Sequence, residues 1–170
     1  MKELTIRLMV LEDIEAFERG FREQGWNPKP EIHKMYLEEQ NRGLRKVFVA
    51  EIDGEAAGYL TLLPEAAHGP FAGKGWPEIT DFNVLQKYQR CGVGGRLMGA
   101  AEQAASQFSP VVTIGVGLHS GYGTAQRMYV KRGYLPDGSG VWYQNRPLEP
   151  YTSCCNDDDL VLYLTKELRG

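Results

Sequence analysis

The sequence predicts an α/β protein in which strands and helices alternate along a single domain covering residues 1–170. Polar and apolar residues alternate over residues 5–8 like a short strand, and apolar residues then recur at the helical spacing of Leu11, Ile14 and Phe17. The run VVTIGV at residues 111–116 is uniformly apolar, as in strands buried on both faces. A chain of this length buries a substantial core without disulfides or metals as staples.

The clearest local pattern is a β-hairpin, KVFVAEIDGEAAGYLTLL. Residues 47–52 and 57–63 have strand character, and Asp53-Gly54 between them is a strong turn signal. The other segments are predicted from the same kinds of pattern. They are a helix over residues 31–41, a strand over 78–85, a helix over 93–108, a helix over 124–132, and strands at 142–143 and 160–164.

The second predicted helix and the predicted loops bear on where a substrate would bind. In residues 31–41 the spacing of Ile32, Met35 and Tyr36 predicts an apolar face. Glycine and proline predict irregular structure in three segments. These segments, which we expect to shape a substrate pocket, are residues 20–30, 64–77 and 136–159. Trp26, Trp76 and Trp142 lie in or beside them, where an indole either lines a pocket or packs in the core.

Charge and hydropathy exclude several classes of function. The 19 basic and 22 acidic side chains give a formal net charge of −3, so no global field recruits nucleic acid or an acidic membrane surface. The N-terminal stretch has acidic residues inside it and no small-residue cleavage site, unlike a signal or transit peptide. No uncharged apolar run approaches the roughly 20 residues that span a bilayer. We therefore expect a cytoplasmic protein without membrane or nucleic-acid partners.

The cysteines and histidines do not predict a disulfide framework or a metal centre. Cys91, Cys154 and Cys155 are too few for a secreted disulfide scaffold, and sequence neighbours pair poorly. The histidines have no metal-ligand spacing, and Cys154-Cys155 lacks a second pair of ligands. We therefore expect a reducing compartment and no metal. Cys91 lies in a glycine turn, but no histidine near it in the sequence would activate it as a nucleophile.

That turn, QRCGVGGR at residues 89–96, lies between a predicted strand and a predicted helix. Such a junction aims unpaired backbone amides and the positive end of the helix dipole at one point, where a phosphate or pyrophosphate fits. The dinucleotide fingerprint fails because Leu97 stands where a glycine is needed, and the Gly-Lys-Ser/Thr ending of the P-loop is absent. A helix start with capping glycines is the alternative that the turn alone leaves open.

The segment Gln89-Arg90-Cys91-Gly92-Val93-Gly94 has the pattern Q/R-x-x-G-x-G/A and resembles the pyrophosphate-binding signature of the GNAT superfamily of acyl-CoA-dependent N-acyltransferases. The segment AQRMYVKRGY, residues 125–134, is similar to the family's A-x-x-x-Y-x-x-x-G-F/Y helix end. The resemblance extends over the order of nearly all predicted elements. It implies a three-layer fold: about four helices flank a mostly antiparallel, twisted sheet of about six or seven strands, splayed between the fourth and fifth.

By the same resemblance, acetyl-CoA would be the acyl donor and would bind at the turn and along the preceding strand. The pantetheine arm would run beside that strand and pair with its backbone. The residues that the resemblance assigns to the cofactor are Asn83, Val84, Leu85, Gln89, Arg90, Cys91, Gly92, Val93, Gly94, Gly95, Arg96 and Thr124. The sequence departs from the family at Tyr122, where members often have Asn, so contacts at that edge stay open.

Three residues could do the chemistry of amide formation, which needs a base for the amine and an acid for the departing thiolate. Glu78 and Asp81 lie eleven and eight residues before Gln89, the spacings at which GNAT members carry acidic residues. In a regular strand these two side chains point to opposite faces, unless a bulge of the kind common in this family intervenes. Tyr129 matches the family's helix tyrosine, a general acid to coenzyme A. Glu78, Asp81 and an ordered water stay alternatives for the base.

The acceptor is predicted only as a primary amine of a small molecule or peptide. The acidic run at residues 156–159 either attracts a cationic amine or is a solvated turn whose aspartates accept from backbone amides. A non-catalytic acyl-CoA sensor is the alternative to an enzyme, because fold does not fix function. The resemblance also allows a homodimer.

Overall fold

The computed structural model describes residues 1–169, which form four α-helices and eight strands. The chain divides into two compact units. The first unit comprises Met1–Leu63 and Thr80–Ala104, and the second comprises Pro64–Ile79 and the chain from Ala105 onward. The chain passes from one unit to the other within its fourth strand, between Ile79 and Thr80.

The first unit contains three complete strands and begins the sheet. Its elements are β1 (Leu4–Leu8), α1 (Glu12–Glu23), α2 (Pro30–Asn41), β2 (Lys46–Ile52), β3 (Glu55–Leu63), the larger part of β4 (Glu78–Val84) and most of α3 (Val93–Ser106). β1 pairs antiparallel with β2, which pairs antiparallel with β3. Asp53 and Gly54 have φ of 51° and 84°, so the predicted hairpin turn is confirmed.

The core of this unit forms where apolar faces of the helices cover these strands. Phe17 of α1 is 1% exposed and packs edge-on against the Tyr59 ring of β3, with 4.9 Å between ring centroids. Leu97 of α3 is fully buried. The face of α2 differs from the prediction, because His33 and Tyr36 are buried whereas Met35 is 45% exposed. The helix is therefore rotated relative to the face that the apolar spacing predicts.

The second unit contains the later strands and the last helix. Its elements are the first two residues of β4, then β5 (Val111–Gly117), α4 (Gly123–Lys131), β6 (Leu135–Tyr143), β7 (Arg146–Pro147) and β8 (Leu160–Glu167). The strand order is β4-β5-β8-β6-β7. β5 pairs in parallel with β4 at Glu78–Thr113 and Ile79–Ile114, and the other neighbours pair antiparallel.

The prediction was wrong for one strand and missed another. β6 begins at Leu135, not at residue 142, so the first part of the predicted loop over residues 136–159 is strand. Pro136, Gly138 and Gly140 predict a turn, but the register of β6 against β8 shifts between Pro136 and Val141, which accommodates them as an irregularity. With β7 the strands number eight, not the predicted six or seven. The predicted splay between β4 and β5 stays a prediction.

The α/β fold itself is confirmed: four helices accompany a mixed, mostly antiparallel sheet with a parallel β4–β5 pair. Over residues 1–169, no helix combines the length and the apolar character needed to cross a membrane.

Candidate active site

The glycine turn lies where the sequence predicts it, directly before α3. Arg90 and Gly92 have φ of 64° and 80°, two left-handed residues that bracket Cys91. A Cβ at Gly92 would meet nothing within 4 Å, so the glycine is required by its backbone conformation and leaves open space above the turn. The guanidinium groups of Arg90 and Arg96 belong to exposed residues. The turn therefore offers room and positive charge to an anion.

The backbone amides of this turn supply the donors. The amide of Arg96 bonds to the carbonyl of Gly92 at 3.2 Å, the first bond of the helical ladder. The amides of Val93, Gly94 and Gly95 precede it and have no intrahelical acceptor, as at every helix N-terminus. Together with the helix dipole they can bind a phosphate group without any side chain.

Cys91 is exposed, and its Sγ lies 3.6 Å from the carbonyl oxygen of Gln89. Gln89 itself extends its Nε2 to the carbonyl of Val84, 3.4 Å away, which ties the turn to the end of β4. The predicted cofactor residues from Asn83 to Arg96 thus form one continuous stretch of strand, turn and helix start within the first unit. Thr124, the remaining predicted cofactor residue, lies in the first turn of α4 in the second unit.

Asp81 lies at an irregular point of β4. Its φ is 46°, a conformation that a non-glycine residue rarely adopts in a strand and that is typical of a bulge. The preceding carbonyl, that of Thr80, accepts a hydrogen bond from the Thr61 hydroxyl at 3.1 Å. The strict alternation of side chains along β4 therefore does not hold between Glu78 and Asp81.

The carboxylate of Asp81 accepts three hydrogen bonds inside the first unit. Its Oδ2 accepts from the hydroxyls of Tyr36 and Tyr59 at 2.9 and 3.0 Å. Its Oδ1 accepts from Nδ2 of Asn83 at 2.7 Å. Burial and the nearby Asp81 carboxylate raise the pKa of both tyrosines, so both hydroxyls keep their protons and donate. This arrangement suits a positioning residue better than a base, because three hydrogen bonds already stabilise the ionised carboxylate and would weaken if it took a proton.

Glu78 has the opposite environment in the second unit. Its Oε2 is buried and has no hydrogen-bond partner among residues 1–169. Burial raises the pKa of Glu78 to about 7. Burial raises the pKa of Tyr163, and the charge of Glu78 raises it further, so the two side chains are near one another. A carboxylate with a free oxygen and a pKa near neutrality has the properties of a general base.

Tyr129 lies on α4 and is 4% exposed. Its ring contacts that of Tyr134, with 5.9 Å between centroids. Burial raises the pKa of Tyr129, and Tyr122 raises it further. The phenol is therefore protonated at neutral pH, the state required of an acid that protonates a thiolate.

The acidic run before β8 is used within the protein. The Asp158 Oδ1 accepts from the Tyr122 hydroxyl at 3.0 Å and lies 2.8 Å from His119 Nε2. Asp157 accepts from the backbone amide of Asp159 and from the hydroxyl of Tyr143. This hydrogen bonding favours the solvated-turn interpretation over a binding site for cationic amines. Over residues 1–169 no group of three or more His, Cys, Asp or Glu side chains could hold a metal ion.

One pocket of the first unit was not predicted. It has a volume of about 160 Å³, and it is lined by Phe21, Trp26, Asn27, Lys29, Ile32, His33 and Asn83. His33 is 3% exposed, and neither of its ring nitrogens has a hydrogen-bond partner within the described chain. Sequence reasoning considers the histidines only as potential metal ligands. The signal that it misses is a histidine one position from the predicted apolar face of α2, shortly after a loop that carries Trp26.

The fold and these features define a class of protein. A parallel β4–β5 pair in an α/β sheet, a glycine turn between β4 and α3, and a buried tyrosine on α4 match the pattern by which the sequence resembles acyl-CoA-dependent N-acyltransferases. A model of the acetyltransferase (GNAT) family matches residues 11–134, nearly three quarters of the chain, and the chain belongs to this family. It is accordingly an acetyl-CoA-dependent N-acetyltransferase.

Solved structures show the same fold. A ribosomal-protein-alanine N-acetyltransferase from Brucella melitensis is 20% identical, with a TM-score of 0.69, over 96% of this chain and 99% of its own. An acetyltransferase-like protein of Salmonella typhimurium, solved with acetyl-CoA, is 18% identical, with a TM-score of 0.68, over 98% of this chain and 94% of its own. A spermidine N-acetyltransferase chimera from Vibrio cholerae and human sequences is 14% identical, with a TM-score of 0.68, over 97% of this chain and 95% of its own.

No curated protein matches this chain significantly by sequence. The named acceptors of the solved structures, a ribosomal-protein alanine and spermidine, differ in size and charge although the folds agree. The shared fold therefore does not identify the acceptor.

Proposed function

We propose that this enzyme transfers the acetyl group of acetyl-CoA directly to a primary amine of a small molecule or peptide, with Glu78 as general base and Tyr129 as general acid. The amine nitrogen attacks the thioester carbonyl carbon and the carbon–sulfur bond breaks. The amine proton passes to Glu78, and the thiolate takes a proton from Tyr129. Glu78 then releases its proton to solvent, and Tyr129 regains one from solvent. The products are an N-acetyl amide and free coenzyme A.

The observation that carries this mechanism is the Glu78 carboxylate, whose buried Oε2 lacks a partner within the described chain and whose pKa is raised to about 7. A base is most effective when its pKa lies near the working pH, because it is then both ionised and able to hold a proton. Asp81 has the same charge, but three donors already occupy its oxygens. We therefore assign the base to Glu78, and to Asp81 the positioning of Tyr36, Tyr59 and Asn83.

The acid role of Tyr129 rests on its burial and its match to the family's tyrosine. Burial raises the pKa of Tyr129, which keeps the phenol protonated at neutral pH and available to donate to the departing thiolate. The match covers the surrounding helix as well, from Ala125 to the buried Tyr134.

The cofactor site that we propose is the turn before α3 together with the end of β4. The pyrophosphate would accept from the amides of Val93, Gly94 and Gly95, with Arg90 and Arg96 adding charge. The pantetheine arm would lie along Asn83, Val84 and Leu85, and a cofactor contact of Thr124 stays a prediction. The acyl donor supplies the thioester, and the protein supplies positions, a base and an acid.

A non-catalytic sensor would use the same cofactor site without turnover. The unpartnered carboxylate of Glu78 favours catalysis over sensing, because an isolated buried carboxylate costs stability that a sensor has no need to give up. A single domain over residues 1–170, a cytoplasmic location and a homodimer stay predictions.

The test is release of free thiol from acetyl-CoA in the presence of a panel of amines, with calorimetric binding of the cofactor measured in parallel. We expect thiol release with at least one amine and a matching yield of N-acetylated product by mass spectrometry. Binding of acetyl-CoA without turnover on any amine of the panel would instead support the sensor.

A further inference from the structure

The pocket beside α2 has the dimensions of a single ring. Its volume is about 160 Å³, close to the roughly 150 Å³ of a dry protein cavity that accommodates benzene. Phe21, Trp26 and Ile32 give it apolar walls. The Phe21 and Trp26 rings stack with 5.6 Å between their centroids, and the Trp26 side chain is partly open to solvent. An aromatic group would fit these walls better than a flexible aliphatic chain of equal volume, because rings stack and lose little conformational freedom.

His33 is a buried polar side chain of the pocket without a hydrogen-bond partner in the described chain. Its imidazole packs among the rings of Phe17, Phe21 and Tyr59, with centroid separations of 5.7, 5.9 and 5.0 Å. Neither ring nitrogen has a partner within residues 1–169, although buried polar groups are normally hydrogen-bonded. Burial lowers the pKa of His33, against the opposing effects of Asp81 and Glu31, so the ring is neutral at physiological pH.

A neutral imidazole has one donor and one acceptor nitrogen. A hydroxyl is both donor and acceptor, so it pairs with whichever nitrogen it meets and needs no particular tautomer. A carboxylate or an ammonium group would pair with only one of the two nitrogens and would lose its hydration in this apolar surrounding. The chemistry of the pocket therefore selects a neutral hydroxyl on an aromatic ring.

The positive charge at the pocket disfavours polyamines as ligands. Of the residues that line it, Lys29 alone carries a full charge, and no carboxylate lines it. A polyamine placed here would bring its second ammonium group beside Lys29, whose positive charge disfavours it, while the Asp81 carboxylate beside Asn83 already accepts three hydrogen bonds. Asn83 forms one wall, and it belongs to the segment of β4 along which we place the pantetheine arm.

Building on the proposed acetyl transfer, we propose that this pocket binds the phenol-type ring of the acceptor, whose hydroxyl bonds to His33 while its aminoalkyl arm extends along β4. The acceptor is then an arylalkylamine with one hydroxylated ring and no second cationic group. The hydroxyl is a binding group and takes no part in the transfer.

The test compares three primary amines: tyramine, 2-phenylethylamine, which lacks only the hydroxyl, and spermidine. We expect wild-type enzyme to favour tyramine over 2-phenylethylamine by at least about tenfold in kcat/KM, because a site built for a hydroxyl rejects an analogue without one. In His33→Phe, which keeps a ring among its aromatic neighbours, the preference should fall to about one. The control Arg42→Phe, which places the same ring at an exposed residue outside the segments expected to shape the pocket, should keep the wild-type preference.

Calorimetric binding of tyramine to the enzyme without acetyl-CoA separates this inference from the proposed function. Tyramine binding that His33→Phe weakens would support the pocket assignment even if no amine were acetylated. If the enzyme acetylates tyramine and 2-phenylethylamine with equal kcat/KM, or prefers spermidine, the pocket assignment is wrong. The proposed acetyl transfer would still stand. If circular dichroism shows that His33→Phe does not fold, the wild-type ratio of kcat/KM for tyramine and 2-phenylethylamine tests the proposal. Trp26→Leu then serves as the second pocket variant.

Discussion

Two carboxylates of β4 illustrate how environment divides roles between identical chemical groups. Asp81 accepts three hydrogen bonds, from Tyr36, Tyr59 and Asn83, whereas the buried oxygen of Glu78 accepts none within the described chain. The sequence predicted both as candidates from their spacing to Gln89 but could not separate them. Two of the partners of Asp81 come from α2 and β3, more than 20 residues away along the chain, and spacing within one strand carries no information about such contacts.

The pKa of Glu78 predicts how activity depends on pH. Because Glu78 must be ionised to accept the amine proton, kcat/KM should rise about tenfold per pH unit below pH 7 and level off above it. Glu78→Gln should lower kcat by about 100-fold or more, and the ionisation near pH 7 should disappear from the profile of kcat/KM against pH. Rates of thiol release between pH 5.5 and 9 provide the measurement.

The exposed Glu15 of α1 provides the matched control, since Glu15→Gln removes the same charge from a solvated position and should leave the profile unchanged. A wild-type profile that is flat between pH 6 and 8, or one that Glu78→Gln leaves in place, would contradict the assignment of the base.

Tyr129 makes a separate prediction about the departing thiolate. Tyr129→Phe keeps the ring that packs against Tyr134 and removes only the hydroxyl. We expect kcat to fall by about 10- to 100-fold while KM for acetyl-CoA changes by less than about threefold, because the lost interaction acts in the transition state. Steady-state kinetics with varied acetyl-CoA measure both constants. An unchanged kcat would remove Tyr129 from the mechanism.

Among the helices and strands, regular periodicity was predicted well and irregular pairing was not. The hairpin of β2 and β3 and the strand β5 follow directly from alternation, turn chemistry and apolar runs. β6 was mostly missed because its proline and glycines predict a turn, and only its pairing with β8 holds them in a strand. Tertiary contacts outweigh local propensity there.

The turn before α3 gives a prediction about the junction of a strand and a helix. In Gly92→Val a β-branched side chain would have to adopt a φ near 80° and would occupy the open space above the turn. We expect affinity for acetyl-CoA to fall by at least about tenfold. Calorimetry gives the affinity directly, and the cofactor-dependent rise in Tm, several degrees for wild type at saturating acetyl-CoA, should shrink in parallel.

Gly73→Val is the matched control for backbone strain, because Gly73 also has a positive φ, 79°, and open space around it. The control should lose a similar amount of stability and keep the affinity of wild type. Equal loss of cofactor affinity in both variants, or none in Gly92→Val, would argue against the turn as the pyrophosphate site.

Over the full chain, the order of elements was predictable and the choice of acceptor was not. The solved structures keep this fold at 11–20% identity, so the fold depends on the apolar pattern and a few turn residues more than on particular side chains. The pocket residues come from α1, α2, the loop between them and β4, and no sequence pattern joins them. Burial without a partner, which reveals His33, is a property of coordinates alone.

The exposed thiol of Cys91 allows the turn to be labelled at one defined position. Its thiol is exposed between two left-handed residues just before α3. With the exposed Cys154 and Cys155 replaced by serine, a maleimide fluorophore would attach at this one sulfur and leave Glu78 and Tyr129 unmodified. Emission from such a label would report binding at the proposed pyrophosphate site in real time, so the arrival of donor and the departure of product would be separately observable.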